Sequence, residues 1–317
     1  MFRRRSWIIV LFLALFAGCQ RREQAPRVAE ALAPPRELAG LHNVLLVSDG
    51  LLSGSVPEGE TGFRSLHQMG VRTIISVDGT KPDVALARRE GIRYVHLPIG
   101  YDGVPREQAL RIARAVRDLP GPVYIHCHHG KHRGPAAAAA AALCLYERLS
   151  AVEAIAFLSR AGTDSHYTGL YESVRNMRRP TADELANVPA DFPETANVPA
   201  LAELMVGIDE RWDRLKAVRA AGWRTPPGHA DLDAPHEALQ LAEQFREALR
   251  LTDTAARANE FKSRLGEADT AAAELQTVLR TQPTVSANAE KLFNRLSETC
   301  KKCHEQFRDP PAVTGRK

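Results

Sequence analysis

The chain has 317 residues, 44% of them hydrophobic, and a formal net charge of +4, so it is long enough for two globular domains with linkers. The weakly basic balance, with no basic stripe interleaved with aromatic residues, argues against a nucleic-acid-binding protein. The hydrophobic content is that of ordinary globular domains.

Residues 1–19 have the pattern of an export signal. Three arginines follow Phe2, and the apolar core from Trp7 to Ala17 is too short to span a bilayer as a stable anchor. The segment ends in Phe-Ala-Gly-Cys, which resembles a bacterial lipoprotein signal. The resemblance implies lipidation of Cys19 and a periplasmic, membrane-anchored protein, and Gln20 permits sorting to the outer membrane. An uncleaved N-terminal anchor is the alternative.

The segment 20–40 is rich in Arg, Glu, Ala and Pro and predicts a tether. The first domain is predicted at 41–179. Its β-branched runs and turn residues predict strands at 44–47, 51–54, 71–77, 94–97 and 123–126, with helices between the later strands. This alternation predicts an α/β domain with a central, largely parallel sheet and helices on both faces. Ligands bind such sheets at the carboxyl ends of their strands.

The stretch after the last predicted strand contains the candidate catalytic residues. Five residues separate Cys127 from Arg133, and a run of seven alanines follows at 136–142. The pattern predicts a strand followed by a tight loop and a helix. In this arrangement the loop N–H groups and the helix N-terminus point at one place and favour the binding of an oxyanion there. The same field favours a nucleophilic thiolate at Cys127, and Arg133 can hold two phosphate oxygens. The remaining residues predicted to form this phosphate-binding loop are His128, His129, Gly130, Lys131, His132 and Gly134.

This stretch resembles the signature loop of the Cys-based protein tyrosine and dual-specificity phosphatases, over roughly Leu41 to Arg179. Its Cys-x-x-Gly-Lys-x-Arg form looks most like the basic branch that handles phosphoinositides and inositol phosphates. The resemblance implies a phosphorylated anionic substrate and a phosphocysteine intermediate at Cys127. It also implies a general acid from the loop 98–105, where Asp102 is the candidate; a solvated turn residue is the alternative for Asp102.

Two features of the loop keep other functions open. Gly134 stands where these phosphatases usually carry Ser or Thr, whose hydroxyl helps the cysteine leave the phosphoenzyme. An anion-binding loop without turnover is therefore one alternative. The three loop histidines make its charge dependent on pH and, together with the cysteine, allow a metal site as a second alternative.

A linker is predicted at 180–198, where the sequence Ala-Asn-Val-Pro-Ala occurs twice. Strand patterns then cease. Four amphipathic segments predict an all-α four-helix bundle at 199–309, followed by a tail at 310–317. These segments are 201–215, 238–249, 261–279 and 292–307.

The last predicted helix carries the attachment motif for c-type haem, Cys-x-x-Cys-His. Cys300, Cys303 and His304 share one helical face at spacings of three and four residues. Two thioethers would hold one haem c, and His304 would bind the iron. A zinc site lacks the second pair of ligands downstream, and a thioredoxin-like pair does not suit the last helix of a bundle.

The segment from Pro199 to Asp309 resembles the cytochrome c-prime family. The resemblance implies an iron that is often five-coordinate, with Met205 or Leu204 shielding its other face; ordinary core packing is the alternative for these two residues. It also implies binding of nitric oxide or exchange of electrons with a redox partner. Such cytochromes often form homodimers. The sequence thus predicts an exported phosphatase joined to a haem domain that senses gas or redox state. The alternative is an electron-transfer or gas-binding cytochrome with a catalytically inactive phosphatase-like domain.

Overall fold

The computed structural model describes residues 33–281 and 287–308. The predicted export signal with Cys19, most of the tether and the tail at 310–317 lie outside these residues. No helix within the described ranges has the length and apolarity needed to cross a bilayer.

The first part of the chain, residues 33–198, is called the α/β unit. Its six-stranded sheet has the order β1-β2-β3-β6-β4-β5. The strands on the β5 side, from β3 to β5, pair in parallel, whereas β1, β2 and β3 pair antiparallel. The predicted α/β class is confirmed as a mixed sheet, because the first three strands are joined by tight turns that only antiparallel neighbours allow. The strands are Arg36–Leu38, Leu41–Ser48, Leu51–Gly54, Thr73–Ser76, Arg93–His96 and Val123–His126.

Six helices follow or separate these strands, and α4 is the most enclosed. The alanines at 136–142 are at most 1% exposed, so the helix is apolar on all sides. Their small side chains let α4 pack closely against β3, β6, α3 and α5. The helices α1 to α6 are Gly59–Gln68, Val84–Arg89, Arg106–Asp118, Arg133–Leu145, Ala151–Arg160 and Thr168–Arg175.

Two predicted connections contain ordered structure. Residues 36–38, predicted as part of the tether, form β1 at the sheet edge. The predicted linker 180–198 contains helix α7 (Ala182–Ala186), and it buries Leu185, Val188 and Phe192 in the core of the α/β unit. The segment predicted as a linker is therefore packed against the α/β unit, because burying these apolar side chains is favourable.

The second part, residues 199–281 and 287–308, is called the helical unit. Four long helices, α8, α9, α11 and α12, bring their apolar faces into one core, where Trp212 and Phe293 stack with ring centroids 4.2 Å apart. Glu237 is buried in this unit and pairs with Arg211 at 2.9 Å. The helices α8 to α12, including the short α10, are Ala200–Ala220, Ala234–Arg250, Thr252–Ala255, Asn259–Thr281 and Ala287–Phe307.

Candidate active site and the adjoining cavity

The loop from Cys127 to Arg133, called the Cys–Arg loop, joins β6 to α4 and is held from outside by three donors. The backbone N–H of Val56 donates to the carbonyl of His128 at 3.0 Å. Asn43 Nδ2 donates to the carbonyl of Gly130 at 2.8 Å, and Thr163 Oγ1 donates to that of Lys131 at 2.6 Å. In a trans peptide the C=O and the N–H point in opposite directions. Each of the three bonds therefore turns the N–H of the following residue (His129, Lys131 or His132) to the other side of the loop. That side can therefore bind an anion.

Two glycines of the loop region are fixed by close backbone approaches. Gly130 has φ +69°, and a Cβ there would lie 2.2 Å from the carbonyl carbon of Gly54. At Gly134 a Cβ would lie 3.0 Å from the backbone nitrogen of Cys127 and 3.4 Å from its Sγ. The serine or threonine expected from the family resemblance would therefore crowd the cysteine unless the loop shifted by a few tenths of an ångström.

Arg133, the first residue of α4, is buried and paired with Asp78. One guanidinium nitrogen donates to Asp78 Oδ1 at 3.0 Å, and both side chains are almost fully enclosed, at 9% and 3% exposure. Burial alone would raise the pKa of Asp78, but the charge of Arg133 holds that pKa below its usual value. Arg133 Nε is buried and has no hydrogen-bond acceptor among the described residues. A donor in this position is available for an oxyanion of a ligand.

Aromatic and cationic side chains from both units meet beside Arg133. The guanidinium of Arg133 lies 4.4 Å from the ring centroid of Tyr101, and that of Arg308, at the end of α12, lies 4.4 Å from the same centroid. Arg308 also donates to the hydroxyl of Tyr167 at 2.9 Å. Burial raises the pKa of Tyr101, so its hydroxyl stays protonated. The helical unit thus adds a second guanidinium close to the Cys–Arg loop.

The candidate acid Asp102 follows Tyr101 in an exposed turn and lines the same cavity as Arg133. Its position is held by a close approach to α6, where a Cβ on Gly169 would lie 2.0 Å from the carbonyl oxygen of Asp102. Its assignment as general acid stays a prediction.

The loop histidines differ in their surroundings. Burial lowers the pKa of His132 to about 4, and its ring packs against Tyr101 and Tyr167. A hydrogen bond to Asp209 raises the pKa of His129 despite partial burial. The pH-dependent charge expected for the loop therefore does not come from His132 near neutrality.

His126, which precedes Cys127, gives a testable pH dependence. Its Nδ1 faces the Cys127 carbonyl at 3.3 Å and its Nε2 lies 2.6 Å from the Tyr94 hydroxyl, and burial lowers its pKa to about 4. Because the unfolded chain takes up this proton near pH 6.5, the stability present above that pH should be lost as the pH falls towards 4. We expect a loss of about 3 kcal/mol from this residue in urea unfolding.

His126→Gln should remove that part of the pH dependence, whereas the exposed His166→Gln should leave it unchanged. Equal slopes for the wild type and His126→Gln between pH 7 and 4 would contradict the assignment.

A cavity of about 880 Å³ lies between the two units, within the size range of ligand sites. The predicted haem residues face this space, and so do three of the predicted phosphatase residues, Asp102, His128 and Arg133. From the α/β unit it is lined by Tyr101, Asp102, His128 and Arg133; from the helical unit it is lined by Met205, Asp209, Cys300, Cys303, His304 and Arg308.

The donor set and walls of the cavity fit a haem. Burial raises the pKa of Cys300 to about 12 and lowers that of His304 to about 4, so both are neutral at pH 7 and the imidazole can bind iron. Arg264 Nε is buried without an acceptor among the described residues, where an anionic haem edge would find a donor. The apolar lining includes Trp212, Leu241, Phe245, Phe261, Leu265 and Phe307.

Three residues of the site were not predicted from the sequence: Asp78, Tyr101 and Arg308. Asp78 directly follows the predicted strand 71–77, and a carboxylate at the end of a central strand is a usable signal. Nothing in the local sequence of Tyr101 or Arg308 indicates that they would meet, because they lie in different units.

No protein-family model and no curated protein matches the chain. Several solved structures match part of the chain. TpbA from P. aeruginosa is 21% identical over 49% of this chain and 94% of that chain, with a TM-score of 0.39. A putative phosphatase from Shewanella putrefaciens CN-32 is 19% identical over 44% of this chain and 96% of that chain, with a TM-score of 0.36. The core catalytic domain of the PP-IP phosphatase SIW14 from S. cerevisiae is 17% identical over 49% of this chain and 92% of that chain, with a TM-score of 0.40.

Proposed function

We propose that the chain is a Cys-dependent phosphatase joined to a c-type haem domain. The observation that best supports a phosphatase is the burial of Arg133 at the end of the loop that begins with Cys127. The Nε of Arg133 has no hydrogen-bond acceptor among the described residues. An unpaired buried guanidinium nitrogen costs free energy unless a ligand accepts from it. An oxyanion at the Cys–Arg loop would accept from Arg133 and from the loop amides together.

The reaction that these groups can perform is phosphomonoester hydrolysis. The Cys127 thiolate attacks phosphorus, the bond from phosphorus to the ester oxygen breaks, and Asp102 gives its proton to that oxygen. Water then attacks the phosphocysteine and gives a proton to the Asp102 carboxylate, the S–P bond breaks, and inorganic phosphate and the thiolate are released. Arg133 and the loop amides hold the oxyanions in both steps. Lys131 and Arg308 favour a strongly anionic substrate, such as a phosphorylated inositol or lipid headgroup.

For the helical unit we propose a c-prime-like four-helix bundle with one haem c. Cys300 and Cys303 would hold the group, His304 would bind its iron, and Met205 would shield the other face. Bound haem would supply gas binding or one-electron transfer to a redox partner. Since the Cys127 thiolate of the proposed mechanism is oxidisable, a haem in the neighbouring cavity would report redox state or nitric oxide to the phosphatase. This proposal includes export as a lipoprotein anchored through Cys19.

A second candidate function is favoured by Gly134. No hydroxyl follows Arg133, and a Cβ at this position would already approach Cys127 Sγ to 3.4 Å. Slow hydrolysis of the phosphocysteine would follow, which would leave an anion-binding unit on an electron-transfer or gas-binding cytochrome.

Hydrolysis of a generic aryl phosphate by the full, haem-loaded chain distinguishes the two functions. The phosphatase predicts continued phosphate release and a phosphocysteine that acid quenching traps. A single stoichiometric burst without turnover would support the binding unit, and no labelling at all between pH 5 and 8 would overturn the phosphatase.

Covalent haem attachment gives a separate prediction. The full chain, produced with haem-attachment machinery, should keep its haem after denaturation, whereas Cys300→Ala/Cys303→Ala should lose it. The reduced pyridine spectrum and the mass of the denatured chain measure this. Cys144→Ala, which removes a thiol buried in α4, serves as the matched control and should keep haem. A wild-type chain of unmodified mass would contradict the haem assignment.

A further inference from the structure

Two consecutive loop histidines face two carboxylates of α8 where the units meet. One ligand atom from each of His128, His129 and Asp209 lies within 4.8 Å of the others. His129 Nε2 is 3.1 Å from Asp209 Oδ2 and 3.8 Å from Asp213 Oδ2. Asp209 and Asp213 are one helical turn apart, so both carboxylates lie on the same face of α8.

We propose that His128, His129, Asp209 and Asp213 form a divalent metal site that joins the Cys–Arg loop to α8. Two imidazoles with carboxylates are a ligand set that Zn²⁺ and other first-row transition metals accept. The metal would be distinct from the haem iron, because neither Cys300, Cys303 nor His304 belongs to this group.

The distances suit such an ion after a small rearrangement. Two ligand atoms, each about 2.1 Å from a tetrahedral ion, are about 3.4 Å apart. The separations of 3.1 and 3.8 Å at His129 bracket that value. The widest separation in the group of three, up to 4.8 Å, needs a closure of about 1.4 Å, which rotation of a half-buried side chain supplies.

A metal at this site would connect the two units more extensively than the His129–Asp209 pair does. The His129–Asp209 hydrogen bond joins the units through one histidine only, and the His128 ring lies edge-on to the His129 ring at 4.4 Å. A metal bound by both imidazoles would tie His128, the residue next to Cys127, to the helical unit.

One neighbouring charge opposes binding. Lys216 forms an ion pair with Asp213 one turn further along α8. Metal binding must displace that ammonium group, so removing it should strengthen the site.

The test is titration of the full chain with Co²⁺ and Zn²⁺, followed by the Co²⁺ absorption spectrum and by calorimetry. It uses the Cys300→Ala/Cys303→Ala background, so that free thiols of the last helix bind no metal. We expect one equivalent to bind. His129→Gln and Asp209→Asn should each weaken binding by at least about 10²-fold, and Lys216→Ala should tighten it several-fold.

The control is His166→Gln. His166 pairs with Asp164 at 2.8 Å, in an exposed His–carboxylate pair without further ligands, and its loss should change nothing. Cys127→Ser should also retain the metal, because the cysteine is not a ligand. The proposal is overturned if no metal binds at 1 mM, if binding survives His129→Gln and Asp209→Asn, or if it requires Cys127. The His129–Asp209 pair is then an ion pair only.

Discussion

Cys127→Ser is expected to abolish hydrolysis of aryl phosphates, with kcat reduced by at least about 10³-fold. Cys127 is only 2% exposed and lies at the start of a loop whose carbonyls are turned away from the anion side. A serine hydroxyl at neutral pH is a far weaker nucleophile than a thiolate. Oxyanion binding by Arg133 and the loop amides should persist, so phosphate should still bind the variant with near wild-type affinity.

Cys144→Ala is the matched control for this experiment. It removes a second buried thiol, in the same α4 that follows the loop, where burial raises the pKa to about 11. Its turnover should match the wild type. Equal turnover of Cys127→Ser and the wild type would mean that another group attacks phosphorus, and the mechanism above would be abandoned.

Asp78→Asn is expected to lower the free energy of unfolding by about 3–5 kcal/mol. Arg133 keeps its charge in this variant but loses the carboxylate 3.0 Å away, and both side chains are almost fully enclosed. An uncompensated buried charge is among the most destabilising single changes in a protein. Because Asp78 also fixes the plane of Arg133, kcat/KM should fall on the order of 10²-fold.

The matched control for Asp78→Asn is Asp118→Asn. Asp118 pairs with Arg114 and Arg117 at the surface, where an ion pair is worth about 0–1 kcal/mol. Urea unfolding of both variants measures the difference. The double variant Asp78→Asn/Arg133→Gln should recover part of the lost stability, because it removes the stranded charge. A loss for Asp78→Asn no larger than that for Asp118→Asn would show that the buried pair contributes little.

The two units contact each other around one cavity. Arg308, which directly follows α12, contacts Tyr101 beside Arg133, and it lies one turn after His304 of the predicted haem motif. Arg308 is therefore the contact through which the proposed haem site would act on the Cys–Arg loop. If nitric oxide or haem reduction leaves the phosphatase rate unchanged, the proposed sensing role is wrong.

The sequence by itself determined the features that are local along the chain. Strand 123–126 was predicted at its observed bounds, and the spacing of Cys127 and Arg133 fixed the loop between a strand and a helix. Cys300, Cys303 and His304 were predicted on one helical face, and all three face the cavity. Such features follow from the periods of strands and helices, which depend only on neighbouring residues.

Only the tertiary structure decided which distant residues meet. Asp78 pairs with Arg133, 55 positions away, because β4 and β6 are neighbours in the sheet. Arg308 reaches Tyr101, and Asp209 reaches His129, because the helical unit packs against the carboxyl ends of the strands. Hydrophobic periodicity marks the buried face of an element but not the face of the partner that covers it. For that reason the sequence did not indicate that Arg133 and the Cys300–His304 motif line one cavity.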